Sequence, residues 1–591
     1  MVRAVYPEGE VNPPIVPPES GPKRHWERAE AIGELVRGRM EVVGPVTAGA
    51  LAEYFQLPPA EIGSALLALE AEGFVLRGRF HPGVAELEWC DRRLLARIHR
   101  MTIHRLRAEI EPVSAAEFQR FLLAWQRVDA AHRAEGPEGV EAVLELLDGY
   151  ELPAGAWEPD VLALRIKDYT PEWLDRLCFT GRIGWGRLTP PQNQKARAFT
   201  PLRSSPVSLF LRESLAHWME LSVGQGLSEA PPDTEQVLKT LSQEGALFFH
   251  QIVRQTGLLP SRVEQALGEL AASGWVTADS FEGLRALLIP SEKRASFAER
   301  DRKRRHRTVT SIEFAGRWSL LRTPGGQGSY VFSVGSTGEP TVPSGDPPHG
   351  TGRGTEQKGT VFSQRDITAI PPGGSPDGAG GSPAPPLQSA YQSSRLPLAG
   401  VPVENPESFA AVRQGRWAGG TPVLLSGPAR DEAMETYARA LLRRYGVAFR
   451  RLLERESMKA SWFELGRVYR RLEARGEIRG GYFVKGVSGE QFALPEAVGL
   501  LRSLRRTKAG GELIALSAAD PLNLVGILTP GPRVTAIASN RVLLRDGIPI
   551  AALEAGEIVK LQNGATGEDD HQIELALKVG KLPAALRPYY A

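Results

Sequence analysis

The sequence predicts a mostly helical protein with small β wings: tandem winged-helix modules followed by a small C-terminal β-sheet or partial barrel. Three observations carry that expectation. A short pattern of apolar residues and glycine recurs four times, helix-start signals stand upstream of it, and the apolar period shortens towards the end of the chain.

At 591 residues the chain exceeds what one hydrophobic core supports, and a prior of about 150 residues per domain suggests about four compact units. With 42% hydrophobic and 24% charged residues, it has the composition of a soluble globular protein. No apolar run reaches the ~20 residues a bilayer span needs, so no membrane partner is expected. Residues 1–25 read as a disordered N-terminal segment: Pro7, Pro13, Pro14, Pro17 and Pro18 crowd it without an apolar stretch, which excludes a secretory signal and predicts a cytoplasmic protein.

The repeat runs apolar, two residues, Leu, three residues, Gly, one residue, Val or Ile. Its copies are Leu66, Leu69, Gly73, Val75; Leu174, Leu177, Gly181, Ile183; Leu267, Leu270, Gly274, Val276; and Tyr469, Leu472, Gly476, Ile478. Apolar residues three apart share a helix face, and a Gly four residues on suits the left-handed position that closes a helix. An extended stretch follows each Gly. In the first copy, Phe74 to Phe80 and Val84 to Trp89 predict a hairpin about His81-Pro82-Gly83; later copies place turns at Ser280 to Gly283 and Val487-Ser488-Gly489.

Ser261 with Glu264 and Ser461 with Glu464 match the capping box, and Thr170-Pro171 supplies a cap followed by a first-turn proline. Shorter helices are predicted upstream at Ala48 to Phe55, Leu247 to Thr256 and Val447 to Arg455. Helix, turn, capped helix, Gly and hairpin make a winged helix-turn-helix. The predicted winged helices cover residues 26–90, 151–225, 226–292 and 403–508, with a helical connector at 91–150. In the second copy, Leu188 to Thr200 interrupts the hairpin.

Three basic surfaces stand out. On a helix from Asp91 to Ile110, Arg93, Arg97, Arg100, His104 and Arg107 fall at steps of four, three, four and three, so they share one stripe. Acids are absent from it until Glu109, whereas an ordinary solvated helix mixes signs. A second cluster, Lys293 to Arg307, lies in the basic segment 293–322. The third, Arg467, Arg470, Arg471, Arg475 and Arg479, decorates the last repeat's capped helix and wing. Arginines on phosphate confer affinity and register but no sequence specificity.

Residues 323–402 are rich in Gly, Ser and Pro and read as a disordered linker. Short apolar runs follow at Leu513 to Leu516, Leu524 to Leu528, Val534 to Ile537, Val542 to Leu544 and Ile548 to Leu553, with Asp546-Gly547 fitting a tight hairpin turn. They predict a small β domain at 509–562, then a tail at 563–591. Cys90 and Cys178 read as buried small hydrophobes, and His99 and His104, five apart, do not share a helix face; no metal site and no cofactor are expected.

Several segments carry a family resemblance: Cys90 to Arg100 continuing through Arg105 to Val113, Gly184-Trp185-Gly186-Arg187-Leu188, Gly316 to Leu321, Arg444-Tyr445-Gly446-Val447, Asp520-Pro521-Leu522-Asn523, and Asn540-Arg541-Val542-Leu543. In this order, from about residue 26 to 555, they resemble the C-terminal region of the large helicase-related (Lhr) family. The resemblance implies a DNA-repair context, successive winged helices that promote oligomerisation, and similarity to AlkZ-type winged-helix DNA glycosylases. The family's motor domains have no counterpart here, and no G-x-x-x-x-G-K-[ST] loop cradles phosphates.

Two function classes follow. The first is a DNA-binding and assembly module of an Lhr-type repair helicase, lacking the ATPase motor. Its expected partners are single-stranded or duplex DNA, a separately encoded Lhr helicase core and further copies of itself. The alternative is a DNA glycosylase of the AlkZ-like class acting on uracil or alkylated or crosslinked bases. For that chemistry the catalytic candidates are Gln192 and Gln194, which match the letters of the Gln-x-Gln motif of AlkZ relatives, and Asp520, an acid before a proline at a strand break.

Overall fold

The computed structural model describes residues 1–9, 25–189, 202–222, 230–289, 312–322, 428–507, 510–529, 531–561, 567–578 and 582–590. Gln192, Gln194, the cluster Lys293 to Arg307 and the linker 323–402 lie outside the described residues. Within them, α-helices alternate with small antiparallel sheets, and no helix is long and apolar enough to cross a membrane.

The first copy runs α1 (Arg28–Met40), β1 (Val46–Thr47), α2 (Ala48–Phe55), α3 (Pro59–Ala71), β2 (Val75–Gly78) and β3 (Glu88–Asp91). After it come the connector helix α4 (Arg92–Ala108) and α5 (Ala115–Trp125). The second copy uses α6 (Gly136–Leu146), β4 (Glu151–Pro153), α7 (Pro171–Phe179), β5 (Ile183–Gly186) and β6 (Pro206–Leu211), and α8 (Leu215–Leu221) follows it. The third uses α9 (Pro232–Glu244), β7 (Leu247–Phe248), α10 (Phe249–Thr256), α11 (Pro260–Ser273), β8 (Val276–Ala278), α12 (Phe281–Leu288) and β9 (Arg317–Leu320). The fourth uses α13 (Pro428–Tyr445), β10 (Val447–Ala448), α14 (Trp462–Ala474), β11 (Arg479–Gly481) and β12 (Gln491–Ala493), closed by α15 (Pro495–Arg506).

All four repeat glycines, Gly73, Gly181, Gly274 and Gly476, lie in the left-handed region at φ 72°, 76°, 79° and 77°. There a side chain is strained, which explains why the pattern holds glycine. Every copy builds a three-stranded sheet in one order: the strand before the helices lies at one edge, the hairpin's return strand at the centre, and its first strand at the other edge. That recurrence makes the four copies the same module.

The structure departs from the sequence expectations at definite places. Residues 1–9 are not disordered: a helical turn, Val2–Val5, buries Val5 in the first module's core, and the Tyr6 hydroxyl donates to Phe55 O at 2.5 Å. Ser280 to Gly283 opens α12 instead of a turn, because Phe281, Leu284 and Leu288 bury one helix face; the return strand β9 comes later, within the segment assigned as basic. Val447 to Arg455 forms a strand and then a 3-10 helix, not an α-helix, and Leu247 and Phe248 are a strand ahead of α10. Ser261 falls inside α11, whose first residue is Pro260, a placement suited to proline's fixed φ and missing N–H.

The C-terminal sheet contains β13 (Leu513–Ser517), β14 (Arg541–Arg545), β15 (Ile548–Glu554) and β16 (Glu557–Lys560), paired in chain order as an open antiparallel sheet and not a closed barrel. Asp546 and Gly547 turn between β14 and β15 at φ 50° and 80°. Leu524 to Leu528 and Val534 to Ile537 are not strands. The expected tail is folded in its described parts: α16 (Gly567–Leu577) packs Ile573 and Leu577 against Leu543 and Ala551, and Leu586 is buried among the second and third copies.

The first module has its own core around Val36, Ile62, Leu66 and Leu69. The second and third share one core, and α5, the fourth module and the C-terminal sheet share another. Cys90 and Cys178 are both buried, and burial pushes the Cys178 thiol up to about 12. A thiol reagent at pH 8 is therefore expected to modify neither cysteine in the native protein and both after denaturation; rapid labelling of the native chain would contradict this packing.

Candidate nucleic-acid interface

Helix α4 begins at Asp91, whose carboxylate accepts from Leu94 N at 2.7 Å. Across its 17 residues it carries Arg92, Arg93, Arg97, Arg100, Arg105, Arg107, His99 and His104, without a single acid, and none of its residues is buried. Arg93, Arg97, Arg100 and His104 are exposed and form no ion pair with any described residue. Such a helix bridges two packed bodies and leaves most of its surface to solvent.

Its C-terminal end is fixed to the fourth module. Arg107 Nη2 donates to Glu473 Oε2 at 2.5 Å and Arg107 Nε to Glu473 Oε1 at 2.8 Å, a bidentate pair on the last turn of α14. The bond to Glu473 raises the Arg107 guanidinium above its ordinary value, so it remains a cation. The contact requires a bare backbone on the wing. A Cβ at Gly480 would lie 2.5 Å from Glu473 Oε1 and 2.8 Å from Arg107 Nη2, and one at Gly481 would overlap Ile110. Beyond α4, Val113 N donates to Phe483 O and Lys485 N to Val113 O, both at 2.8 Å, which adds the connector to the wing as a short parallel bridge.

Helix α14 starts at a capping box: Glu464 N donates to Ser461 Oγ at 3.2 Å and the Glu464 carboxylate accepts from Ser461 N at 3.1 Å. Hydrogen bonding from Ser461 holds the Glu464 carboxyl below its usual range. Leu465, Val468, Tyr469 and Leu472 face the core. The opposite face presents Arg467 and Arg471, which form no ion pair with described residues, and Phe463, 72% exposed. Arg470 is 2.7 Å from Glu490, Arg475 is 3.6 Å from Glu477 and 3.7 Å from Glu435, and Arg479 is half-buried in the wing.

The corresponding helices of the other modules differ. Helix α3 has no Lys or Arg; α7 has Arg176 alone; α11 has Arg262 alone, 3.8 Å from Asp233. The structure thus brings the α4 stripe and the α14 cluster together through Arg107 and Glu473. It also adds two exposed aromatic residues that charge reading missed, Phe463 on α14 and Tyr482 just after β11. Aromatic residues on a surface helix or wing give no periodic signal, so nothing in the sequence singled them out.

Asp520 is not available for water activation. It is 0% exposed and takes Arg165 Nη1 at 2.7 Å and Nη2 at 2.9 Å, while Leu522 N donates to the same carboxylate at 2.9 Å. Arg165, equally buried, also donates to Gln126 Oε1 at 2.8 Å, and Gln126 donates to Arg444 O at 2.8 Å. Asp520 therefore ties the C-terminal sheet to the second and fourth modules.

Tandem winged helices joined by a cationic bridging helix define a tandem winged-helix protein. Residues 427–513 and 113–212 each match a large helicase-related protein, winged-helix domain. A Mycolicibacterium smegmatis protein named Lhr helicase/probable uracil glycosylase is 26% identical over 578 residues, covering 94% of this chain and 31% of its own length. The Escherichia coli Lhr helicase/uracil glycosylase is 25% identical over 539 residues, covering 87% of this chain and 28% of its own. The chain carries Lhr-type winged-helix domains and is similar to the C-terminal region of Lhr proteins, spanning less than a third of these relatives' length.

Removing one member of a buried ion pair strands its partner's charge, at a cost of about 3–5 kcal/mol. Asp520→Ala is expected to lower stability to chemical denaturation by about that amount. Wild-type stability in this variant would show the pair to be dispensable.

Proposed function

We propose that the chain is a nucleic-acid-binding module of Lhr type that grips the phosphate backbone of DNA along α4 and the outer face of α14. The observation that carries this is the exposed row Arg93, Arg97, Arg100 and His104, with no ion pair among the described residues, on a helix with no buried residue. Charge left unpaired on an otherwise unsupported helix is electrostatically costly to the chain, and a polyanion relieves it. Arg467, Arg471 and Phe463 extend the surface where a winged helix presents its second helix to a groove. An exposed ring among arginines suits base stacking.

In this proposal the module assembles with further copies of itself and works with a helicase motor supplied outside the residues present here, the latter as the relatives' names and greater length suggest. Uracil glycosylase activity, printed in both relatives' names and as probable in one of them, is a second reading. It would draw on groups other than Asp520, with Gln192 and Gln194 its remaining sequence candidates.

Fluorescence anisotropy with labelled single-stranded and duplex DNA across a salt series tests the main reading. Wild-type affinity should fall steeply with salt. Combined Arg93→Ala, Arg97→Ala and Arg100→Ala should flatten the single-strand slope of log K against log salt by about 2, at ~0.7 per lost phosphate contact. Arg262→Ala in the third module should change nothing. An unchanged slope in the triple variant would remove α4 from the interface.

A further inference from the structure

Beside the Arg107–Glu473 junction the structure holds a cavity of about 440 Å³, bounded by Glu109 to Val113, the wing residue Phe483 and one side of α15. Its size is that of a small-molecule site, for which about 300–1,000 Å³ is usual. Its walls combine an apolar lining with a charged rim, where the carboxylates of Glu109, 3.4 Å from Arg105, and Glu111 stand among the arginines. Val113, Phe483, Val498 and Leu501 supply apolar lining, each at most 5% exposed. At the rim, Arg502 and Arg506 are exposed and form no ion pair with any described residue, while Arg505 is bound to Glu111 across the mouth.

Arg505 and Arg506 occupy the last turn of α15, where cations complement the helix dipole, and alone they would need no ligand. Arg502 stands one turn earlier, facing the same apolar recess. An apolar recess next to free guanidinium groups matches the two halves of a nucleotide: a flat base that gains by leaving water, and a phosphate that pairs with arginine. Only an unstacked base can enter a recess, because a base within a duplex keeps its faces covered by its neighbours. The cavity lies at the C-terminal end of the cationic helix α4, so a strand following that helix reaches it.

We propose that this cavity takes one unstacked nucleotide of a single DNA strand, its base against Val113, Phe483 and Leu501 and its phosphate on Arg502 and Arg506. The proposal rests on the DNA-binding reading above and adds a preference for unpaired over paired DNA. Binding of a labelled oligothymidylate and of a labelled duplex would be compared for the wild type, for Arg502→Ala combined with Arg506→Ala, and for Leu501→Trp, which fills the recess and keeps every charge. Each variant should weaken single-strand binding about tenfold, the scale of one stacked base, and leave duplex affinity within about twofold. Should Leu501→Trp fail to fold, as its thermal melt would reveal, the arginine variant, altered only at exposed positions, still decides. Equal losses on both DNAs would reduce the rim to general surface charge and overturn the cavity's role. So would unaltered single-strand binding in variants of a protein that does bind DNA. A wild type that binds no DNA at all would overturn the DNA-binding reading itself.

Discussion

Helix α4 has no core of its own, and the cationic surface depends on how its ends are held. An isolated helix of about this length is marginal in water, and most helices are stabilised by a packed apolar face. Here Asp91 caps the start, and the Arg107–Glu473 pair with the Ile110–Gly481 contact fixes the finish. Glu473 is nearly buried and also accepts from Gly480 N at 3.0 Å, so it serves wing and connector together. Loss of Arg107 would leave that carboxylate without its cation and free the end of the helix.

The four modules share a fold and differ in what they spend it on. The second and third merge their cores, and the fourth merges with α5 and the C-terminal sheet. Buried polar groups stitch these blocks: Arg165 donates to Asp520 at 2.7 Å and to Gln126 at 2.8 Å, and Arg444 donates to Asp148 O at 2.6 Å. Helices α7 and α11 of the merged modules present one arginine each, and α3 of the separate first module presents no Lys or Arg. Among the second helices of the four modules, α14 alone combines a packed face with several exposed arginines, and it receives the end of α4. Repetition of the fold therefore does not repeat the charge, since the second helices of the other three copies carry at most one Lys or Arg each.

Much of this was legible in the sequence because local rules decided it. The repeat glycines declared a backbone conformation that other residues avoid, Ser461 and Glu464 declared a helix start, and the arginine spacing on α4 declared a stripe. Tertiary decisions were not legible. The apolar face of Phe281, Leu284 and Leu288 converts an expected turn into a helix, and the return strand arrives some 30 residues later than local reading places it. Asp520 reads as an available acid because its partner, Arg165, stands 355 residues away. The same blindness hid the junction: Arg107 and Glu473 are 366 residues apart, and no local pattern links a basic stripe to a distant carboxylate.

Reversing that pair tests the account most directly. DNA affinity and its salt slope would be measured for Arg107→Glu, for Glu473→Arg and for the two combined. If the pair serves to seat α4 against α14, each single reversal weakens binding and the double reversal restores most of the affinity with the wild-type slope. If the double variant binds as poorly as Arg107→Glu alone, Arg107 acts by touching phosphate itself, and the idea of one surface built by joining the two helices is wrong.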